Sequence, residues 1–481
     1  MAIAVTCGSC QASIRVKEEH AGKTGKCPRC RATVEIPRPM EPFEVPTVRE
    51  ERSTGEPLDL RAILQSFSGS ISPVRTTAFY RVGIVILTVA MLVLPLLYLA
   101  LIAGIAWLLV YHATENVAGI GRLRSVVGFI FLYLGPLIVG AILLFFMVKP
   151  LFARRSRTRK LRTLEFGAEP LLFSLVSRIA KAVGSPEPKR IDVDCQVNAS
   201  ASFGGTFGVV LGGDLVLTLG LPLVAGMSVQ QLAGVIAHEL GHLAQGTGMR
   251  LSYLVRSINA WFARTVYERD DWDEALVRGC EREDRLAIFL LLAMLCIWLT
   301  RCILWVFMFA GHAMSCFMLR QMEYDADRCE TRLAGTRAFA ETTRRLMELS
   351  IAMNRAHELA AKSWTQGGPL PNDLCALMEA VADSLSPKET RTIAELMEKQ
   401  TTGFFDTHPA AKDRIASARQ ENAEGVFSLE GAAKPLFAEF RKTSKAVTFD
   451  FYREILGKQV KRERLAPVSA FLDATRDVRF D

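Results

Sequence analysis

A pair of histidines carries the most recognisable chemistry in this sequence. His238 and His242 flank Glu239 in the segment His-Glu-Leu-Gly-His. On a helix, residues four apart project from one face, so both imidazoles can reach a single tetrahedral zinc ion at about 2.0–2.1 Å. Glu239 lies about 100° further round the helix, where it can take a proton from a metal-activated water. This pattern is typical of zinc peptidases, and two ordinary helix histidines beside a glutamate are the alternative.

The residues around this motif predict the helix that must position it. Ser228 is followed three residues later by Gln231, which forms the capping-box pattern of a helix N-terminus. Apolar residues then recur at helical spacing, and Gly246 is expected to end the helix in the left-handed conformation.

Two later segments supply further candidate residues. Glu323 and Asp327 again stand four apart, a spacing that suits one metal ligand and one carboxylate that orients a ligand histidine. An isolated pair of acidic residues would more often lie on a solvated helix face. Because this pair follows the histidine motif, we favour Glu323 as a metal ligand. His408 precedes Pro409 and is a candidate hydrogen-bond donor to the oxyanion of a tetrahedral intermediate, although a lone histidine is more often structural.

Four cysteines near the N-terminus predict a second, structural zinc site. Two Cys-x-x-Cys pairs lie sixteen residues apart, a spacing that matches a zinc ribbon; the cysteines are Cys7, Cys10, Cys27 and Cys30. The segments 14–16 and 33–36 between and after them have the character of short strands. We interpret residues 1–36 as a ribbon that serves as a structural or protein-contact module. A DNA-reading ribbon is less favoured because few Lys and Arg residues accompany it.

The composition indicates a membrane protein with soluble parts. Of the 481 residues, 50% are hydrophobic and 22% are charged, and the mean hydropathy is +0.21. The net charge of +8 comes with basic residues clustered beside apolar runs, which favours membrane-flanking charge over nucleic-acid binding. The cysteine usage suits a reducing compartment, and no cleavable signal peptide is expected.

Two uncharged runs predict a transmembrane hairpin over residues 79–149, after a proline-rich linker at 37–78. Residues 82–111 and 126–148 are each long enough to cross a hydrocarbon core of about 30 Å. Lys and Arg are concentrated before and after the hairpin rather than in its loop, so we expect both ends of the hairpin to face the cytosol. We expect the protein to lie in the inner (cell) membrane.

The region 150–420 is expected to hold the zinc site. A helix over 169–183 is followed by alternating segments that predict a small antiparallel sheet, with a hairpin at 209–218 around Gly212-Gly213. We place Asn198, Ala199 and Ser200 at the edge of this sheet, where backbone hydrogen bonds can hold an extended substrate. Residues 421–481 are predicted to be helical and carry no recognisable chemistry.

The segments between the histidines and Glu323 leave the topology open. If all three bind one metal, the intervening chain crosses the membrane zero or two times. Either residues 251–267 cross outward and 286–319 return, which we favour, or 286–319 forms a hairpin or dips in near Arg301.

These motifs resemble one family, the integral-membrane zinc metalloproteases that include the heat-shock protease HtpX and the CAAX prenyl proteases. The likeness rests on the histidine motif, on Glu323-Tyr-Asp-Ala-Asp327 and on Thr407-His408-Pro409-Ala, and more weakly on Asn198-Ala-Ser-Ala. It implies a mainly α-helical, gluzincin-like membrane protease. It also implies zinc held by His238, His242 and Glu323, with Glu239 as general base and Asp327 and His408 nearby. The ribbon is not part of the core family.

The function expected from these observations is zinc-dependent endoproteolysis of polypeptides at the cytosolic face of a bilayer, possible substrates being misfolded membrane proteins. Two alternatives stay open at this point. One is a non-catalytic scaffold or signalling protein that binds partners through the ribbon. The other is a transcription-linked sensor with a DNA-reading ribbon. Retention of Glu239 argues against the scaffold, because a structural zinc site needs no general base.

Overall fold

The computed structural model describes residues 2–6, 13–17, 24–26, 33–35, 58–74, 78–120, 126–152, 161–203, 214–244, 247–268 and 287–476. This part of the chain is mainly helical, as expected. Its strands are β1 (Ala2–Thr6), β2 (Ser13–Lys17), β3 (Thr24–Lys26), β4 (Thr33–Glu35), β5 (Arg162–Leu164), β6 (Arg190–Asp194), β7 (Ala199–Phe203), β8 (Leu215–Gly220), β9 (Leu370–Pro371) and β10 (Leu465–Ala466).

The helices fall into a membrane group and a group around the sheet. In chain order they are α1 (Leu60–Gln65), α2 (Ala78–Ile120), α3 (Val126–Phe129), α4 (Gly135–Val148), α5 (Pro170–Val183), α6 (Leu221–Gly226), α7 (Val229–Gly241), α8 (Thr247–Tyr267), α9 (Ala287–Ala334), α10 (Thr336–Thr365), α11 (Leu374–Asp383), α12 (Pro387–Lys399), α13 (Ala411–Glu421), α14 (Phe440–Leu456) and α15 (Val468–Arg476). A π-helical turn, Ile130–Leu134, joins α3 to α4.

Three of these helical segments are long and apolar enough to cross a membrane. They are Tyr80–Asn116, Val126–Phe152 and Leu290–Ala334, and many of their large apolar side chains are exposed. Side chains of this kind need a hydrocarbon surround, because soluble proteins rarely expose apolar patches so large. The first two candidate spans lie where the uncharged runs predict a transmembrane hairpin.

The third span is one uninterrupted helix, and this corrects one alternative from the sequence. Residues 286–319 do not form a hairpin or a dip near Arg301, because α9 continues through Arg301 to Ala334. The sequence of α9 contains no proline and a single glycine, so nothing in it breaks the helix. Helix α8 packs beside α9 and α2, and Phe262 of α8 is fully buried between them. By length and composition, α8 is not among the three candidate spans.

The sheet is mixed rather than antiparallel. Its strand order is β5-β6-β8-β7, with β8 antiparallel to β7 but parallel to β6. The predicted hairpin at 209–218 is also wrong in its pairing. Residues 215–218 belong to β8. This strand lies between β6 and β7 and pairs with one of them along each edge, which leaves no edge for the predicted hairpin partner. The Gly212-Gly213 turn lies outside the described residues.

The core of the sheet domain draws on the whole chain after the hairpin. Helices α5 and α7 cover the sheet, and the helix predicted at 169–183 is α5, which ends at Gly184 in the left-handed conformation. Residues as late as Phe427, Tyr452 and Phe471 are buried in the same cluster. The C-terminal segment therefore packs as part of this domain.

Near the N-terminus, two antiparallel strand pairs are described. β1 pairs with β2, and β3 pairs with β4. The strands expected at 14–16 and 33–36 correspond to β2 and β4. Cys7, Cys10, Cys27 and Cys30 lie outside the described residues, as does the linker from 37 to 57.

Close contact between α7 and α9 positions the histidine motif. A Cβ atom added to Gly241 would lie 2.9 Å from Cys329 Cβ and 3.4 Å from Ala326 Cα. A Cβ–Cβ separation of 2.9 Å is shorter than real side chains show. The backbones of α7 and α9 can therefore approach this closely because residue 241 is glycine.

We therefore expect Gly241→Ala to lower the apparent melting temperature of the detergent-purified protein. The overpacking penalty of about 1–3 kcal/mol exceeds the gain in helix propensity of about 1 kcal/mol. The matched control is Gly167→Ala, because an added Cβ there has no neighbour within 4 Å. Equal melting curves for Gly241→Ala and the control would contradict the close-contact argument.

Candidate active site

Helix α7 begins as its sequence predicts and ends earlier. The Ser228 side chain accepts a hydrogen bond from Gln231 N, and Gln231 Oε1 accepts one from Ser228 N, which completes the capping box. The helix ends at Gly241, and His242 is its C-cap, with helical backbone angles. Gly246, predicted to end the helix, lies outside the described residues. The helical angles at His242 keep both histidines on one face.

The two histidines converge on Glu323 of α9. His238 Nε2 lies 3.6 Å from Glu323 Oε2, and His242 Nε2 lies 3.6 Å from Glu323 Oε1. These separations are too long for hydrogen bonds. They are close to the ~3.4 Å expected between two ligand atoms that share a tetrahedral ion with bonds of about 2.1 Å. The residue types and spacing therefore fit zinc.

The pKa values of the two imidazoles are shifted in opposite directions. Burial alone would lower the pKa of His238, but the carboxylates of Asp327 and Glu323 outweigh burial and raise it to about 10. Burial and the nearby His238 charge hold the pKa of His242 well below its usual value. His242 is therefore ready to donate its lone pair, whereas His238 must release a proton when a cation binds.

Asp327 supports His238 from the side opposite Glu323. Its Oδ1 atom lies 3.1 Å from His238 Nδ1, although the approach angle departs from that of a good hydrogen bond. Arg414 of α13 holds Asp327 through two hydrogen bonds, 2.9 Å from Nε to Oδ2 and 2.5 Å from Nη2 to Oδ1. Glu330 is also buried beside His238, with 3.6 Å between Oε2 and Nδ1. This arrangement fixes the ring of His238 so that Nε2 faces Glu323.

Both carboxylate oxygens of Glu323 have a further partner. His408 Nδ1 lies 3.0 Å from Oε2, and Arg256 Nη2 of α8 donates to Oε1 across 3.2 Å. The His408 side chain is 70% exposed, so most of its ring faces outward from the site. The structure thus brings His408, predicted from the sequence, to the same carboxylate as the two helix histidines.

Glu239 lies between these groups and the sheet edge. Burial raises the pKa of Glu239, while the nearby His238 and Arg256 and the backbone N–H of Ala201 oppose the shift. Ala201 belongs to β7, which is the outer strand of the sheet. The segment that includes Asn198, Ala199 and Ser200 therefore leads into or forms the strand edge next to Glu239.

The sequence interpretation missed the roles of Arg256, Glu330 and Arg414. Glu330 follows Glu323 by seven residues, so the helical repeat that linked Glu323 to Asp327 extends to it. Arg256 was visible as a charge inside an apolar segment. Arg414 lies six residues beyond His408, and no local pattern connects it with α9.

We expect Arg414→Met to destabilise the protein by about 3–5 kcal/mol, because it leaves the buried Asp327 carboxylate without its cation. The double variant Arg414→Met/Asp327→Asn should recover most of this loss, since the amide carries no charge. Chemical denaturation in detergent measures both. Additive losses in the double variant would show that the ion pair does not account for the effect.

Comparisons with known proteins agree with this site. The sequence profile described as Peptidase family M48 matches residues 168–422, a range that includes all the site residues discussed above. A Protease HtpX from Acinetobacter baumannii (strain AYE) is 25% identical over 338 residues, which cover 67% of this chain and 97% of that protein. The Protease HtpX of Acinetobacter baylyi is 25% identical over 261 residues, 53% of this chain and 72% of its own length.

No solved structure matches the chain. The profile match and the two relatives confirm the resemblance drawn from the sequence motifs. Because the profile covers more than half of the sequence, the chain belongs to peptidase family M48 and is a membrane-associated zinc metalloprotease.

Proposed function

We propose that the chain is an endopeptidase in which His238, His242 and Glu323 hold the catalytic zinc and Glu239 is the general base. The observation that carries this proposal is the meeting of two Nε2 atoms and one carboxylate at 3.6 Å separations, with Glu239 adjacent. Bound zinc supplies a Lewis acid that polarises a peptide carbonyl and lowers the pKa of a water.

The remaining steps belong to side chains of this protein. Glu239 takes a proton from the attacking water and delivers it to the leaving amine, and its raised pKa suits a group that must both accept and release a proton. The edge of β7, with Asn198, Ala199 and Ser200 at its start, holds the substrate backbone in an extended form. That strand is suited to this role because its Ala201 N–H points toward Glu239 rather than into the sheet.

His408 is proposed to stabilise the oxyanion that forms during hydrolysis. Its Nδ1 atom is occupied by Glu323, which leaves the other ring nitrogen for a substrate oxygen. Asp327 is proposed to orient His238, as its contact with Nδ1 supports.

We further propose that substrates are membrane proteins and that the site faces the cytosol, with a role in membrane-protein quality control. The distribution of Lys and Arg around the hairpin supports the sidedness. The N-terminal segment is proposed to be a zinc ribbon that contacts a protein partner. In support, each Cys-x-x-Cys pair falls in the connection between two strands that pair with each other, β1 with β2 and β3 with β4.

The proposal predicts that Glu239→Gln abolishes peptidase activity without loss of metal. Removal of a general base costs about 10²–10⁴-fold in rate. Cleavage of an unfolded protein is compared between wild type, Glu239→Gln and the control Glu398→Gln, which alters an exposed glutamate of α12. We expect two zinc ions per chain in all three proteins. Equal, negligible cleavage in all three would favour the non-catalytic scaffold.

For the membrane topology, we propose that α8 and α9 both cross the bilayer, which places residues 269–286 on the side opposite the active site. The candidate span in α9 runs from Leu290 to Ala334 and carries Glu323 beyond its apolar part, so a second crossing must precede it if Glu323 shares a metal with His238 and His242. Helix α8 is the described helix in that interval, and α2 and α9 shelter it.

This topology predicts that Asp273→Cys, in a Cys280→Ser background, reacts with an impermeant maleimide in intact cells. The matched control is Glu398→Cys on α12, which should react after lysis alone. Silence of Asp273→Cys in intact cells, followed by reaction after lysis, would contradict the two crossings.

A further inference from the structure

The loop that carries His408 lies along the membrane-spanning part of α9. Residues 403–406 run beside α9 from Phe309 to Arg320. The rings of Phe405 and Phe309 are 5.2 Å apart, and those of Phe404 and Phe405 are 5.1 Å apart. We call residues 403–406 the Phe404 loop.

The Phe404 loop presents apolar side chains at the same outer surface as α9. Phe404 is 74% exposed, and Phe405 is also exposed. On α9, Phe309, which contacts Phe405, is exposed, and so are Met314 and Phe317 on neighbouring turns. The loop therefore extends the apolar surface of a candidate span instead of covering it.

The carbonyl groups of the loop have hydrogen-bond partners, as a nonpolar surround demands. Arg320 Nη1 donates to the carbonyls of Phe404 at 2.9 Å and Asp406 at 2.7 Å, with a longer contact to Gly403 at 3.4 Å. His312 Nε2 lies 2.8 Å from the Phe405 carbonyl, and Cys316 Sγ donates to the same oxygen. The two N–H bonds of Nη1 thus serve Phe404 and Asp406, α9 also pairs the Phe405 carbonyl, and the Gly403 carbonyl accepts from Asp406 N at 3.3 Å.

Such complete pairing is what irregular backbone needs at membrane depth. An unpaired carbonyl in hydrocarbon costs several kcal/mol, so non-helical segments occur there when protein groups satisfy them. A loop in water has no such requirement, because water can pair with its carbonyls. His312 is the one histidine within the apolar stretch of α9 between Arg301 and Arg320, and it is used for this pairing.

The level of the loop along α9 agrees with contact to lipid. Arg301 and Arg320 bracket an 18-residue stretch without Lys, Arg, Asp or Glu, which spans about 27 Å at 1.5 Å per residue. This length is close to the ~30 Å of a hydrocarbon core. Phe405 contacts Phe309, eleven residues inside the Arg320 end.

We propose that the Phe404 loop is inserted among the lipids on the active-site side of the bilayer, with Phe404 and Phe405 in contact with acyl chains. Lipid is the occupant because the exposed rings continue the lipid-facing surface of α9. The loop reaches His408 two residues later, so lipid contact fixes the segment that brings His408 to Glu323. This inference goes beyond the proposed function, and its test does not require peptidase activity.

Photo-crosslinking of the full-length protein in phospholipid nanodiscs tests the proposal. A benzophenone analogue of phenylalanine replaces Phe404, and lipid adducts are counted with a tagged phospholipid. Phe131 in the second span is 73% exposed and calibrates full lipid contact. Ile455 is 62% exposed and belongs to α14, a helix that packs on the sheet domain, so it calibrates contact with water. Zinc content checks that each variant is folded.

We expect lipid labelling at Phe404 to match that at Phe131 and to exceed that at Ile455 several-fold. Labelling closer to that at Ile455, or adducts with protein in place of lipid, would overturn the proposal. A second variant, Arg320→Ala, removes the partner of the Phe404 and Asp406 carbonyls. It should reduce labelling at Phe404 several-fold and leave labelling at Phe131 unchanged, and no change at either position would refute the role of the paired backbone.

Discussion

The close packing of α7 against α9 is the constraint on which the rest of the site depends. Gly241 faces Cys329 without an intervening side chain, and this brings the carboxylate of Glu323 between the Nε2 atoms of His238 and His242. If the helices were further apart, Glu323 could not lie within about 3.6 Å of both Nε2 atoms. The three side chains would then be too widely spaced to share one zinc ion. The proposed metal site is therefore a product of helix packing, and loops contribute to it from outside.

Charge balance explains why so many separate segments meet at this point. Helix α9 carries Glu323, Asp327 and Glu330 into a buried region, and isolated buried carboxylates are costly. The compensating groups are Arg256 of α8, Arg414 of α13 and His408 of the Phe404 loop region, together with the histidines of α7. Each helix around the site thus supplies a charge that compensates a charge on another helix. The arrangement of the site residues therefore depends on the packing of the whole domain.

The sequence predicts what is local and misses what is not. His238, Glu239 and His242 lie on one helix, so the helical repeat alone places them, and the same rule relates Glu323 to Asp327. The capping box at Ser228 is equally local and was predicted. The strand order of the sheet and the pairing of Arg414 with Asp327 join segments far apart in the chain, and no short pattern encodes them. The continuity of α9 was recoverable from its lack of proline, but the requirement for zero or two membrane crossings left a hairpin or a dip near Arg301 open.

Helix α9 also has a mechanical consequence. At 1.5 Å per residue, its 48 residues form a rod of about 72 Å that has a candidate membrane span at one end and the proposed zinc ligand Glu323 toward the other. A change in bilayer thickness makes a span tilt or shift along its axis. Because α9 is one uninterrupted helix, a tilt of its apolar end is transmitted along the rod to Glu323, and the hydrophobic thickness of the membrane enters the geometry of the proposed zinc site.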